Sequence, residues 1–266
     1  MDNTEEIRAI SLCTGYGGLE LGLKGVIQNL RTVAYVEIEA FACANLVAKM
    51  EEGKLDAAPV WTNLKTFPAQ AFRDRVHIIT AGYPCQPFGT VGKRLGTKDP
   101  RHLWPYIARI VEAVRPVWCV FENVRGHLTL GYPEVYRSLR NLGYKVEQGI
   151  FSAAETTAPH LRDRLYILAS HTELSKCYRY VVNGRTDDKR EETESFRCKD
   201  WELFELVVSK VAPSEWRRSR EDTPKPLFVR DVDGSSSTLD RLRLLGNGVV
   251  PQCAEKAIRT LGSLFE

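Results

Sequence analysis

The chain lacks paired cysteines. None of its seven stands in a Cys-X-X-Cys arrangement, and positions 13, 43, 85, 119, 177, 198 and 253 follow no regular spacing. That excludes a disulfide framework and a thiolate zinc site, and leads us to expect reduced thiols in a cytoplasm. No run of about 18 uncharged apolar residues occurs, so no membrane span is expected. The opening Met1-Asp2-Asn3-Thr4-Glu5-Glu6 is acidic and polar, unlike a secretory signal. A strong charge imbalance is missing too. A net charge of +3 over 266 residues does not announce a polyanion partner, so any nucleic-acid contact must come from local clusters. Internal repeats and the Gly-X-Gly-X-X-Gly spacing of dinucleotide sites are also absent.

What is present is alternation. Short apolar runs near 9–13, 32–36, 58–62, 76–81 and 117–121 read as strands, followed by others at 144–151 and 164–169. Helical patterns run from the glycine turn at 15–18 to about Val26, over 40–50 and over about 103–114, and Leu142-Gly143 marks another helix end. This rhythm predicts an α/β fold with a doubly wound, mostly parallel Rossmann-like sheet. It breaks over 171–238, which is irregular, charge-dense at 184–202 and ends in Gly234-Ser235-Ser236-Ser237. We read a catalytic domain formed by 1–170 plus 239–266, and a small lobe at 171–238.

Ligands of such sheets bind at the carboxyl ends of strands, and two strand ends here carry reactive groups. One run passes into Tyr83-Pro84-Cys85-Gln86-Pro87-Phe88, placing a thiol at the start of a tight loop; another ends in Glu122-Asn123-Val124. A cysteine and a carboxyl group on neighbouring strands can support covalent chemistry with proton management. Taken singly, each has a plainer reading: a structural cysteine beside a proline turn, and an acid closing a strand. The loop Cys13-Thr14-Gly15-Tyr16-Gly17-Gly18 joins the first strand to a helix, where backbone and helix terminus can approach an anionic group. Glu37, ending the second strand, could accept both hydroxyls of a ribose, or be a solvated acid at a helix start. Asn63-Leu64 could meet an adenine edge.

Together these segments resemble the DNA cytosine-5 methyltransferase family, in the manner of a small bacterial or phage-type member. The family's ordered motifs appear as Cys13–Gly18, Gly82-Tyr83-Pro84-Cys85-Gln86-Pro87-Phe88, Glu122-Asn123-Val124, Arg162-Asp163-Arg164 and Gly246-Asn247-Gly248-Val249-Val250-Pro251. The resemblance covers about 1–170 and 239–266. It implies S-adenosyl-L-methionine as methyl donor, with S-adenosyl-L-homocysteine as product. Thr14, Gly15, Tyr16 and Gly18 would line its methionine part, Glu37 hold the ribose, and Ile38 pack on the adenine. Asn63 and Leu64 would read the adenine edge, Leu103 flank the cofactor, and Asn247 with Val249 close the site. The C-terminal helix would then pack back on the first strand. Cys85, presented by Pro84, would attack carbon 6 of cytosine, and Glu122, supported by Asn123, would contact ring nitrogen 3 and the amino group. Arg162 and Arg164 alternate along an extended segment; one would bond the base carbonyl, the other brace Glu122 or the flanking backbone.

The base must leave the duplex to react, and Gln86, Lys93 and Arg94, on or beside the glycine-hinged loop after Cys85, would meet DNA. Trp216, Arg217, Arg218, Arg220, Arg241 and Arg243 are the further candidates for DNA contact, in or beside the short lobe that corresponds to the target-recognition domain. Departures from the family pattern include Cys13 where an aromatic residue is usual, Ser11 where an acid is frequent, and Asn63 in place of Asp. Gly89 and His160 also depart, and none of these removes a catalytic group. The expectation is a cytoplasmic monomer acting on double-stranded DNA, alone or beside a cognate restriction endonuclease. Transfer RNA methylation and a catalytically inactive DNA-binding homologue are the competing readings.

Overall fold

The computed structural model describes residues 6–84, 102–156, 162–175 and 248–265. Among these, seven strands make one sheet: β1 (Ile7–Leu12), β2 (Leu30–Val36), β3 (Val60–Trp61), β4 (Ile78–Gly82), β5 (Trp118–Val124), β6 (Tyr144–Ser152) and β7 (Asp163–His171). Helices α1 (Gly18–Lys24), α2 (Ala40–Glu51), α3 (Trp104–Val114), α4 (His127–Leu130), α5 (Tyr132–Asn141) and α6 (Pro251–Gly262) cover it. The expected lobe lies outside the described residues beyond Ser175. No helix among the described residues is long and apolar enough to cross a membrane.

The strand order is β3-β2-β1-β4-β5-β7-β6, with β1 to β5 parallel and β7 antiparallel to both β5 and β6. β1 and β4 are neighbours in space but belong to opposite halves of the winding, so their carboxyl ends flank a topological switch point, where such sheets take ligands. The central strands are apolar on both faces because helices cover both; β5 is buried from Trp118 to Asn123. Since β7 runs antiparallel, its first residues come to the carboxyl edge of β5, with Arg164 opposite Val124. A parallel β7 would have carried them to the far edge.

One core layer holds α3, whose Trp104, Ile107, Ile110, Val111 and Val114 repeat at helical spacing and are buried with Ile79, Cys119 and Phe121. The other joins α1 and α6 through Leu19, Leu23, Ala254, Ala257 and Ile258. α6 packs chiefly on α1 and the β6–β7 hairpin, a correction to the expected seat on β1. Its cause is the small pair Gly22 and Ala254: a methyl group on Gly22 would come within 2.7 Å of Ala254 Cβ, so the helices approach more closely than larger residues allow. β3 is shorter than its apolar run suggested, with Pro59 just before it at the sheet edge.

Candidate active site

The β1–α1 loop is built from left-handed backbone. Cys13 (φ 50°), Gly15 (φ 60°) and Gly17 (φ 83°) turn the chain back over the end of β1. Thr14 pins the turn: its N–H donates to the Val36 carbonyl (3.2 Å), and the Ser11 hydroxyl donates to its Oγ1 (2.9 Å). The Gly15 N–H donates to Glu37 Oε2 (2.7 Å), while the Ile38 and Glu39 N–H groups donate to Glu37 Oε1 (2.8 and 2.9 Å). Glu37 is therefore a buried brace between the glycine loop and the end of β2, not a solvated acid. Beside it Ile38 leaves 75% of its surface in solvent, the most exposed large apolar side chain described. A methyl group on Gly15 would meet nothing within 4 Å, so the loop has open room on its outer side.

Asn63 caps a short 3-10 turn, its Oδ1 accepting from the Lys65 N–H (3.0 Å), with Leu64 buried behind it. Leu103, half-buried, precedes α3 and packs on the core below. The segment 248–250 closes the loop from above. The Tyr16 hydroxyl donates to the Val249 carbonyl, and the Tyr16 ring lies where a Gly248 side chain would be. Gly18 is pressed against the Val249 backbone, with no room for a methyl group. Lys49 of α2, which the sequence did not single out, donates to the Tyr16 carbonyl (2.6 Å) and sits 4.4 Å over its ring.

At the second strand end Gly82 pairs directly with Glu122 in the β4–β5 ladder. Glu122 is 5% exposed, and burial pushes its carboxyl up to about 7 although Arg164 and Arg162 pull it down. Arg164 Nε lies 2.9 Å from Glu122 Oε1, yet that oxygen receives no well-directed hydrogen bond; the contact is an ion pair with acceptor capacity to spare. Arg162 instead donates from Nη2 to the Gly248 carbonyl (2.5 Å). Arg164 thus takes the bracing position read from the sequence, while Arg162 holds the Gly248 backbone, a contact the sequence did not suggest. Asn123 donates from Nδ2 to the Tyr83 carbonyl (3.1 Å) and accepts the Val124 N–H, tying the two strand ends together.

Pro84 is the last residue described on this loop and is exposed. Cys85, Gln86, Lys93, Arg94, Trp216, Arg217, Arg218, Arg220, Arg241, Arg243 and Asn247 lie outside the described residues. The structure brings the glycine loop, Glu37, Ile38, Glu122, Arg162, Arg164 and Val249 to one edge of the sheet. It adds Lys49 and His127, for which the sequence offered no periodic or motif signal, and gives Tyr83, in the sequence only a member of the Pro-Cys motif, a role of its own.

A profile of the C-5 cytosine-specific DNA methylase family matches residues 7–218. The chain is 28% identical over 180 residues to the Type II methyltransferase M.NgoMIV of Neisseria gonorrhoeae, covering 66% of this chain and 55% of that protein. It is 30% identical over 173 residues to M.PspPI of Psychrobacter sp., covering 62% and 40%. The chain spans about half the length of the curated relatives it matches. Among solved structures, a DNMT2 variant of Spodoptera frugiperda superposes with a TM-score of 0.60 at 18% identity, over 98% of this chain and 100% of that one, which supports the fold. The switch-point site and the family match agree: this chain belongs to the C-5 cytosine-specific DNA methylase family.

Proposed function

We propose that the chain transfers a methyl group to carbon 5 of a flipped-out cytosine in double-stranded DNA, at a short recognition sequence. The observation that carries this is the ion pair between buried Glu122 and partly buried Arg164, with Glu122 paired in the sheet to Gly82, three residues before Cys85 in the chain. The donor set fits S-adenosylmethionine: an open glycine loop, a carboxylate at Glu37, an exposed apolar platform at Ile38 and an amide at Asn63. Bound there, it would supply an electrophilic methyl group and leave as S-adenosylhomocysteine.

The remaining work falls to this chain's residues. Cys85 as thiolate would form a bond from Sγ to cytosine carbon 6, moving the carbon 5–carbon 6 electron pair onto the ring. Glu122, near neutrality between its charged and protonated forms, would give a proton or hydrogen bond to ring nitrogen 3 as that charge builds. Its free acceptor capacity suits the exocyclic amino group. Arg164 would hold the carboxyl in place and leave donors for the base carbonyl. Once carbon 5 carries the methyl group, ring nitrogen 3 would return its proton to Glu122. The carbon 5 proton would pass to solvent with its bonding pair re-forming the carbon 5–carbon 6 double bond, and the sulfur–carbon pair would leave with Cys85, restoring the aromatic ring. Flipping the base costs a few kcal/mol, for which basic residues outside the described segments would compensate through phosphate contacts. The relatives' designation as Type II methyltransferases supports a modification role beside a restriction endonuclease.

The test is incubation with labelled S-adenosylmethionine and duplex DNA of mixed sequence, with transfer RNA in parallel and Cys85→Ala as control, then conversion sequencing. Cys85-dependent label at one short DNA motif is expected. Label confined to RNA overturns the substrate, and absence of label despite cofactor binding favours a binding protein.

A further inference from the structure

The chain leaves the sheet through Tyr83, two residues before Cys85, and Tyr83 is held with more specificity than packing requires. It is 5% exposed, its ring set against Trp104 (5.9 Å between centroids) and edge-on to Phe121 (6.5 Å). Its hydroxyl shares a 2.9 Å hydrogen bond with Nε2 of His127, which is 2% exposed, and the two rings meet nearly perpendicular at 5.5 Å. Its carbonyl accepts from Asn123. Asn123 and His127 lie at the end of β5 and the start of α4, so one connection grips residue 83 at both its backbone and its side chain.

The seat for the imidazole is built. A methyl group on Gly131 would fall 2.1 Å from His127 Cε1, so only glycine at that position admits the ring, and the Gly131 N–H donates to the His127 carbonyl (3.0 Å). A phenylalanine at 83 would fill nearly the same volume without bringing a hydroxyl into the core. Burying both polar groups is costly unless they pair with each other, and once paired they fix the orientation of the side chain.

We propose that Tyr83 and His127 are a positioning pair that sets the direction in which the chain leaves β4 at Pro84 towards Cys85, an inference resting on the methyl-transfer reading above. Residue 83 is two positions from the thiol, and transfer through a covalent adduct is sensitive to misplacement on the ångström scale. Burial holds His127 down to about 4 and pushes the Tyr83 phenol up, so both stay neutral and the bond persists at working pH. The charged and titratable groups facing the pair are His102 beside His127, Glu122, Glu134 and Cys13 around Tyr83, and Glu134 itself 3.3 Å from His102.

The test uses the full chain with Tyr83→Phe, His127→Phe and the double variant. Three readouts are taken: single-turnover transfer of labelled methyl into duplex DNA, affinity for S-adenosylhomocysteine, and the rate of Cys85 alkylation by iodoacetamide, resolved by peptide mass. Each single variant should slow transfer about tenfold, and the double variant no further. Cofactor affinity should stay within about twofold, and Cys85 alkylation should change at least about threefold while that of Cys43 does not. Wild-type transfer and alkylation rates in Tyr83→Phe overturn the proposal; so do additive losses, or losses that follow cofactor affinity. If the native chain labels no nucleic acid, the methyl-transfer reading fails by itself, and Cys85 alkylation still decides whether the pair acts on the placement of that thiol.

Discussion

Arg162 and Gly248, 86 positions apart, are joined by a 2.5 Å hydrogen bond from the guanidinium to the backbone carbonyl. With the Tyr16–Val249 bond, this fastens the C-terminal segment over the glycine loop from both sides. Arg162→Met keeps the length of the stem and removes the donor. A charged hydrogen bond of this kind contributes about 1.5–3 kcal/mol, so affinity for S-adenosylhomocysteine should fall by about tenfold or more. Calorimetry checks it, and unchanged affinity would show that the segment holds without the arginine.

In the proposed reaction Glu122, whose carboxyl burial pushes up to about 7, would be protonated as Cys85 adds. The rate of transfer should therefore lose ground as pH rises above about 7, while the thiolate fraction of Cys85 still grows, giving a bell. Glu122→Gln should cost about 10²–10⁴ in rate and flatten the alkaline limb. A wild-type rate that climbs steadily to pH 9 would rule out the acid role.

Two buried acids also make stability depend on pH. Burial raises Glu122 to about 7 and raises Glu20, whose carboxyl accepts from the Thr80 hydroxyl (2.7 Å). With folded values above unfolded ones, the folded chain holds protons that the unfolded chain releases from about 4.5 upward. Their contribution is complete below that point and is lost as pH rises through the folded values, at no more than about 1.4 kcal/mol per unit for each group. Buried His127, held down to about 4, and His171, also held low, work in the opposite direction below about 6.5, so the test is differential. In denaturant melts, the native midpoint should fall between pH 5.5 and 8 relative to that of Glu20→Gln. The same pH response in both proteins would contradict this account.

Asn63 caps its 3-10 turn through Oδ1, a duty aspartate performs equally well. Asn63→Asp should keep the turn and offer charge to an adenine amino group, tightening S-adenosylmethionine binding about threefold or more. Equal affinity in titration would mean that the adenine edge is read elsewhere.

The central strands were legible because they are buried on both faces and so appear as apolar runs; Glu122 and Asn123 stood out by ending one. Arg162 and Arg164 were legible as a pair through their spacing of two, but their division of labour was not. It depends on the antiparallel register of β7 and on a segment 86 residues away. α4 and the start of α5 were hidden in sequence because Gly126, Gly131 and Pro133 read as turn residues. Yet Tyr132, Val135 and Leu139 give α5 a buried stripe. Lys49 and His127 declare themselves only through partners 33 and 44 positions away, which no local pattern encodes.

The seam between α1 and α6 has a consequence for how the protein is made. Arg259 of α6 donates to the carbonyl of Gly25, 234 positions earlier. At a synthesis rate of about 5–20 residues per second, α1 waits roughly 10–50 s for its partner to leave the ribosome. Through that interval Leu19, Leu23, Val26 and Ile27 lack the helix that covers them, and the segment over the glycine loop has not yet been made. The apolar face of α1 is therefore uncovered on the nascent chain until α6 has been made, and the glycine loop gains its cover only then.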